Sequence, residues 1–352
     1  EITIVELARA VAARESFDAV KGIAFRRGGE IVTTAPQPPV EDLDTLPPPA
    51  LHLFDIKKYA QPGAASLYFP SINMITSRGC PYDCSFCFKK LWGPRCRFMS
   101  VGRVMSDIAE LRAKHGAGEV AFFDDTFTLD RDRALSLCEK MLEEKKPLPW
   151  RCNSRVDRVD AELLALMRRA GCYSIGFGIE SGNAEVLKKC GKGITLEQVR
   201  NAVELARRAG IESRGYFIFN LHGDTRETME ETTRFALSLP LTVANFTMAL
   251  PYIGTRLREI VENDPGCRVD SARWNDWSAY CDKEPLFTQG DVRADELKKI
   301  ISRAYSRFYL RPSYILRALK RVNSFEQVKS YIFAAGWILS ATLSSFFVKK
   351  NR

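Results

Sequence analysis

Three cysteines, Cys80, Cys84 and Cys87, fall close together in the run Gly79-Cys80-Pro81-Tyr82-Asp83-Cys84-Ser85-Phe86-Cys87. Spaced C-x3-C-x2-C, their thiolates can surround one metal centre if the backbone loops tightly around it. Two kinds of centre compete for such a set. Structural zinc takes four nitrogen or sulfur ligands, usually from paired C-x2-C units or from cysteines joined by histidines. Here the triplet is odd and the only histidines are His52, His115 and His222, so zinc would need Cys96 as its fourth ligand. An iron–sulfur cluster held by three cysteines leaves one iron open, which makes an enzyme centre rather than a pure electron carrier. The spacing favours the cluster.

Other residues could act beside these thiols. Asp124 and Asp125 follow one short apolar run, and Glu180 and Ser181 follow another. Each pair reads either as a site group at a strand end or as the cap of the next helix. Asn153 and Arg155 lie on a third apolar run, with weaker claims. His222 offers an imidazole that could move protons, although a loop histidine is more often simply solvated. Cys96, Cys138, Cys152, Cys172, Cys190 and Cys267 read as small packing hydrophobes or idle thiols. Cys281, next to Tyr280, could give up a hydrogen atom on its position alone.

The elements that must position these groups alternate regularly. Short apolar runs over 71–77, 119–123, 150–155, 174–179, 212–220 and 244–250 predict strands. Amphipathic stretches over 101–115, 131–144, 161–170, 196–209, 227–239 and 255–263 predict helices. Gly116, Gly171 and Gly210 mark helix ends, while Asp130, Asp160 and Thr195 mark helix starts. Strict alternation implies a parallel sheet with right-handed crossovers, so the expected class is α/β, a partial (β/α)6 TIM-like barrel with a C-terminal helical extension. A doubly wound open sheet is the alternative, but its glycine-rich phosphate loop is absent after the first strand, where the cysteines stand. Ahead of the barrel lie a short helix over 2–14, a turn at Arg27-Gly28-Gly29-Glu30 and a proline-rich connector that reads as a stiff linker or a strap.

The net charge of +9 is local. Residues 291–352 hold 13 Lys/Arg against 4 Asp/Glu, whereas the rest of the chain balances. This argues against a protein coated in nucleic acid and for one basic surface. Arg303, Arg307, Arg311, Arg317, Lys320 and Arg321 run beside Tyr305, Phe308, Tyr309 and Tyr314, a mixture suited to phosphate or lipid headgroups. An uncharged run over 331–348, closed by Lys349 and Lys350, reads as a packed or interfacial helix rather than a membrane span. The cysteine usage fits a reducing compartment, and the start at Glu1 reads as a trimmed or partial chain.

With these motifs in view, the sequence resembles the radical S-adenosylmethionine (SAM) enzymes, whose hallmark is C-x3-C-x2-C after the first strand of a partial β/α barrel. Phe122-Phe123-Asp124-Asp125-Thr126-Phe127, Ile175-Gly176-Phe177-Gly178-Ile179-Glu180-Ser181-Gly182 and Pro251-Tyr252-Ile253-Gly254-Thr255 are similar to strand motifs of the cobalamin-associated branch. In the fifth motif, Asn220-Leu221-His222-Gly223-Asp224-Thr225, His222 stands where that branch commonly has proline.

The resemblance implies a 4Fe-4S cluster on Cys80, Cys84 and Cys87 that cleaves SAM reductively to a 5'-deoxyadenosyl radical. It places Phe86 against the SAM adenine, Asp124 or Asp125 at its amino group, and Glu180 with Ser181 at its ribose. The implied reaction is methyl transfer to, or rearrangement of, an unactivated carbon in a small-molecule or lipid-like substrate, with flavodoxin or ferredoxin as reductant. Cobalamin would come only with a missing upstream domain, because 1–60 reads as the remnant of that domain and a linker, 61–264 as the barrel and 265–352 as a basic helical region. The expected location is cytoplasmic, with contact to the inner face of a membrane through 291–352. A tRNA-modifying methylthiotransferase-like enzyme and a non-enzymatic zinc or electron-transfer protein are the alternatives.

Overall fold

The computed structural model describes residues 1–59, 66–270, 273, 277–279 and 284–319. Its centre is a six-stranded, wholly parallel sheet: β1 (Ser71–Met74), β2 (Glu119–Phe122), β3 (Trp150–Ser154), β4 (Cys172–Glu180), β5 (Glu212–Phe219) and β6 (Val243–Met248). The strands lie side by side in chain order. The sheet curls into a half barrel, which is the expected partial (β/α)6 architecture. Sequential order with every crossover of one hand is what curls a parallel sheet toward a barrel, and it excludes the doubly wound alternative, whose strand order reverses.

The covering helices are α1 (Val101–His115), α2 (Arg131–Leu142), α3 (Ala161–Arg169), α4 (Leu196–Arg208), α5 (Arg226–Ser238) and α6 (Arg256–Asn263). Their starts are capped as the sequence indicates. Asp130, Asp160 and Thr195 each accept a backbone N–H from the first turn, and Thr195 completes a reciprocal capping box with Gln198. Gly116 ends α1 at φ 61°, a left-handed conformation that suits glycine.

The inner strands β2 and β4 are buried on both faces, whereas β6 at the edge alternates buried with half-buried residues. Phe122, Phe127 and Trp150 form one tight aromatic knot, with ring centroids 4.8 to 5.5 Å apart. Cys138, Cys152, Cys172 and Cys190 pack as small buried hydrophobes. At the amino ends of the strands, buried Glu119 accepts from Ser71 Oγ and Tyr173 Oη, both at 2.7 Å, and pairs with Arg151. This polar plug closes the end of the barrel opposite the cysteine loop, where barrels carry stability rather than chemistry.

The amino-terminal region is a helix, Ile2–Ala13, and a hairpin of Ala24–Arg27 with Glu30–Thr33. The proline-rich segment is a strap: Leu43 and Leu46 join the main core, and Arg103 of α1 donates to the carbonyls of Asp44 and Leu46, each at 2.8 Å.

Beyond α6 the structure departs from the sequence reading in two places. Cys267–Val269 and Phe287–Gln289 pair as a short antiparallel hairpin where no strand was expected. The aromatic side chains of α7 (Ala294–Tyr309) do not face outward to receive headgroups, because Tyr305 and Phe308 are buried against β6. Tyr305 Oη accepts the Phe246 N–H, and Tyr309 Oη both accepts from Ala244 N and donates to Ala244 O, at 2.9 to 3.1 Å. The Met248 N–H reaches Ala279 O at 2.8 Å. The outer amides of β6 are thus satisfied without another strand. Among the tail cations, Arg307 pairs with Glu230, and Arg311 donates to Leu237 O while lying over the Phe308 ring. Residues 320–352, which carry Lys320, Arg321 and the 331–348 run, and the pair Tyr280-Cys281 lie outside the described residues.

Candidate active site

The cysteine loop leaves β1 at the carboxyl-terminal face of the sheet, where β/α barrels place their chemistry. The two aspartates that end β2 grip it from beneath. Asp124, almost fully buried, accepts from Thr76 N at 2.6 Å, Thr76 Oγ1 at 2.7 Å and Ser77 N at 2.7 Å. Asp125, on the exposed side, takes the Gly79 N–H. Burial raises the proton affinity of both carboxyls, and the loop's own donors oppose it. Arg133 of α2 donates to Thr76 Oγ1 at 3.0 Å and to Met99 O at 3.0 Å, supplying positive charge behind Asp124.

Gly79 itself cannot be another residue without movement. Its φ is +100°, and a Cβ there would meet Arg95 O at 2.3 Å. The far side of the loop is held by Ser85, whose N–H donates to Cys190 O at 2.9 Å and whose carbonyl accepts from Leu257 N at 2.8 Å. The turn at Gly191 lies so close to the loop that a Cβ would stand 2.8 Å from Asp83 O. Tyr82, between the first two cysteines, lies under the Arg155 guanidinium at 3.5 Å from ring centroid to Cζ, and its hydroxyl accepts from Arg158.

The three thiols occupy one neighbourhood. Cys84 is buried, Cys80 is half-buried and Cys87 is at the exposed end. Desolvation and the nearby Cys80 and Cys84 sulfurs push the Cys87 thiol up to about 11. The donor set is an odd triplet of thiols, which suits a cluster with one open iron better than the four-ligand site of structural zinc. Cys96 is close to Cys80, but its Sγ donates to Gly79 O at 3.3 Å, which makes it a brace for the loop.

The end of β4 brings a second feature to Cys84. Glu180 has a left-handed φ of 68° and binds Lys192 Nζ at 2.7 Å, both side chains buried. The positive charge of Lys192 lies near Cys84, favouring its thiolate against the desolvation that pushes it up. Gly178 makes room for this pair, since a Cβ there would stand 2.5 Å from Glu180 Oε1. Lys192 was not apparent from the sequence; a lysine in a Gly-Lys-Gly turn reads as solvent-facing until the fold buries it. Ser181 is turned away, its Oγ 3.1 Å from Thr232 Oγ1 of α5 and accepting from Asn183 N. Asn153 accepts from Tyr216 Oη at 3.1 Å across β4, and Arg155 pairs with Asp157 and donates to Lys192 O.

Phe86 is half-buried against Val186, Leu221, Ala249 and Leu257. Beside it, exposed Phe88, Tyr252 and Ile253 together with Trp277 line an open apolar cleft of about 520 Å³, with Trp277 stacked on Tyr252 at 5.4 Å. His222 has its Nε2 2.8 Å from Asp264 Oδ2. Cys267, expected to be idle, joins that pair.

Residues 74–236 match the family model of the Radical SAM superfamily. An uncharacterized methyltransferase of Pyrococcus horikoshii is 32% identical over 327 residues, covering 92% of this chain and 69% of that protein. An anaerobic magnesium-protoporphyrin IX monomethyl ester cyclase of Cereibacter sphaeroides is 31% identical, covering 83% of this chain and 47% of its own length. Among solved structures, the cobalamin-dependent SAM radical enzyme OxsB superposes with a TM-score of 0.69 over 97% of this chain and 55% of that one, at 19% identity, a likeness of fold.

Proposed function

Because the chain belongs to the radical SAM superfamily, we propose that it performs methyl transfer to, or rearrangement of, an unactivated carbon in a small apolar substrate. The observation that carries this reading is the cysteine triplet, held open on a loop at the carboxyl ends of six parallel strands. When bound, a 4Fe-4S cluster and SAM supply a 5'-deoxyadenosyl radical to that mouth.

The residues of the chain divide the remaining work. Cys80, Cys84 and Cys87 would hold the cluster, and three thiolates would leave an open iron for SAM. Asp124 spends its acceptors on Thr76 and Ser77, so it positions the loop, and the SAM amino group falls to exposed Asp125. Phe86 offers a ring to the adenine. Glu180 approaches the ribose with Lys192 as its counter-ion, while Ser181, bound toward α5, secures the strand end. The open apolar cleft of Phe88, Tyr252, Ile253 and Trp277 receives the substrate.

Names among the relatives, a methyltransferase and a ring-forming cyclase, support both reaction types. The chain spans about two thirds of the Pyrococcus protein and about half of the cyclase. We place it in the cobalamin-associated branch, with 1–60 joining the 61–264 barrel to a cobalamin-binding portion and 265–352 as the helical extension. Flavodoxin or ferredoxin is the proposed reductant, and the cytoplasm the proposed location. No helix among the described residues is long and apolar enough to cross a membrane. A peripheral membrane contact through 291–352 would rest on sequence beyond Leu319, since the aromatics of α7 are engaged with β6.

The test is anaerobic reconstitution with iron and sulfide, then reduction in the presence of SAM. Formation of 5'-deoxyadenosine and a change in the cluster's EPR signal on adding SAM are expected; absence of both would remove the radical reading.

A further inference from the structure

Besides the cysteine loop, three ligand-bearing side chains converge from two segments of the chain, His222 on one and, 42 residues on, Asp264 with nearby Cys267 on the other. His222 follows β5, Asp264 follows α6, and Cys267 begins the hairpin of Cys267–Val269 with Phe287–Gln289. One ligand atom from each, the imidazole nitrogen, a carboxylate oxygen and the thiol sulfur, lies within 4.8 Å of the other two. They form the one trio of this kind among the described residues. The imidazole Nε2 and Asp264 Oδ2 are 2.8 Å apart, so one hydrogen bond already holds the two together.

The frame around the trio is rigid. The Gly266 N–H donates to Asp264 Oδ1 at 2.8 Å, which leaves Oδ2 to His222, and Cys267 N donates to Asp264 O at 2.9 Å. Buried Gln289 ties the two loops together, accepting from Gly223 N at 2.8 Å and donating to Asn220 Oδ1 and Leu221 O. Outer hydrogen bonds of this sort hold metal ligands in orientation before the ion arrives.

We infer that His222, Asp264 and Cys267 bind a single divalent ion of the zinc class, independent of the iron–sulfur centre. One imidazole nitrogen, one carboxylate and one thiolate are ligands zinc accepts, and the two anionic ligands balance its charge. The imidazole and the carboxylate are each about a third exposed, at 31% and 36%, which leaves room for water as the fourth ligand. On binding, Cys267 releases its proton to solvent as the sulfur–metal bond forms. The ion would clip the loop after β5 to the post-barrel hairpin, beside the mouth but outside the cysteine loop.

Metal counting on the full chain tests this. After anaerobic reconstitution with iron and sulfide, equilibration with micromolar zinc and desalting, the wild type should retain about one zinc per chain alongside its iron. His222→Ala and Cys267→Ala should each lower retained zinc at least about tenfold with iron unchanged, and unchanged iron excludes general unfolding. Cobalt(II) in place of zinc should give a near-ultraviolet thiolate charge-transfer band that Cys267→Ser removes and Cys96→Ser keeps. Zinc retention equal in wild type and both variants, zinc lost only when Cys80, Cys84 and Cys87 are replaced, or no zinc retained at all would each overturn the inference.

Discussion

Replacing Asp124 tests the idea that the second strand grips the cysteine loop. In Asp124→Ala, the buried amides of Thr76 and Ser77 lose their acceptor, as does the Thr76 hydroxyl. The hydroxyl can rotate toward another acceptor, but the two amides cannot. At roughly 1–3 kcal/mol for each buried donor left unsatisfied, the variant should lose about 4 kcal/mol. Asp124→Asn should lose less, about 1–2 kcal/mol, since its amide oxygen can still take both backbone donors while its nitrogen meets a hydroxyl already bonded by Arg133. Urea denaturation of the iron-free chain gives the stabilities, and iron per chain after reconstitution reads the loop. The expected order of iron retention is wild type, then Asn, then Ala. Asp125→Ala serves as the contrast: its exposed side chain holds one loop amide, that of Gly79, so it should cost about 1 kcal/mol, well below the Asp124→Ala loss. An Asp124→Ala variant within about 1 kcal/mol of wild type, with full iron content, would refute the reasoning.

Gly79→Ala, with a left-handed φ and the Arg95 carbonyl in the way, should cost about 2–4 kcal/mol and depress iron retention, as reconstitution and melting would show. Lys192→Met strands the Glu180 carboxylate in a buried site and should destabilise by about 3–5 kcal/mol in denaturant titrations, with Glu180→Gln similar because it strands the ammonium instead. Cys96→Ala should keep its iron, since the side chain braces Gly79 O; loss of the metal centre in iron analysis would favour a four-thiolate site. Tyr305→Phe and Tyr309→Phe should each cost about 1–2 kcal/mol, with faster hydrogen exchange at Phe246 and Ala244 respectively.

The barrel was legible because each β/α unit carries its own signals. Apolar runs name the strands, Asp130, Asp160 and Thr195 cap the helices that follow, and Gly116 ends one by adopting a conformation other residues avoid. The cysteine loop was legible because three thiols at short spacing need no tertiary partner to be noticed. The division of labour at the strand ends was not. Asp124 and Asp125 are neighbours of one residue type, and the alternating direction of side chains along a strand sends one under the loop and the other outward. Glu180 acquires its meaning from Lys192, which the local sequence gives no reason to bury. The hairpin after α6 escaped notice because each of its strands has three residues, too few to show a period. The α7 aromatics were misread for a related reason: rings beside arginines look the same on paper whether they face solvent or a sheet, and the unpaired edge of β6 decides between the two.

That edge also decides why the sheet stops at half a barrel. A barrel closes only when its last strand can hydrogen-bond to its first, and here the outer amides of Ala244, Phe246 and Met248 are already bound to Tyr309, Tyr305 and Ala279. β6 therefore has no bonds to offer β1, and a helix rather than another strand seals the edge, with Leu297, Ile301 and Phe308 of α7 sharing one apolar core with Leu43, Leu46 and Ile72. The half barrel is thus a finished architecture, closed by side chains where a full barrel is closed by backbone.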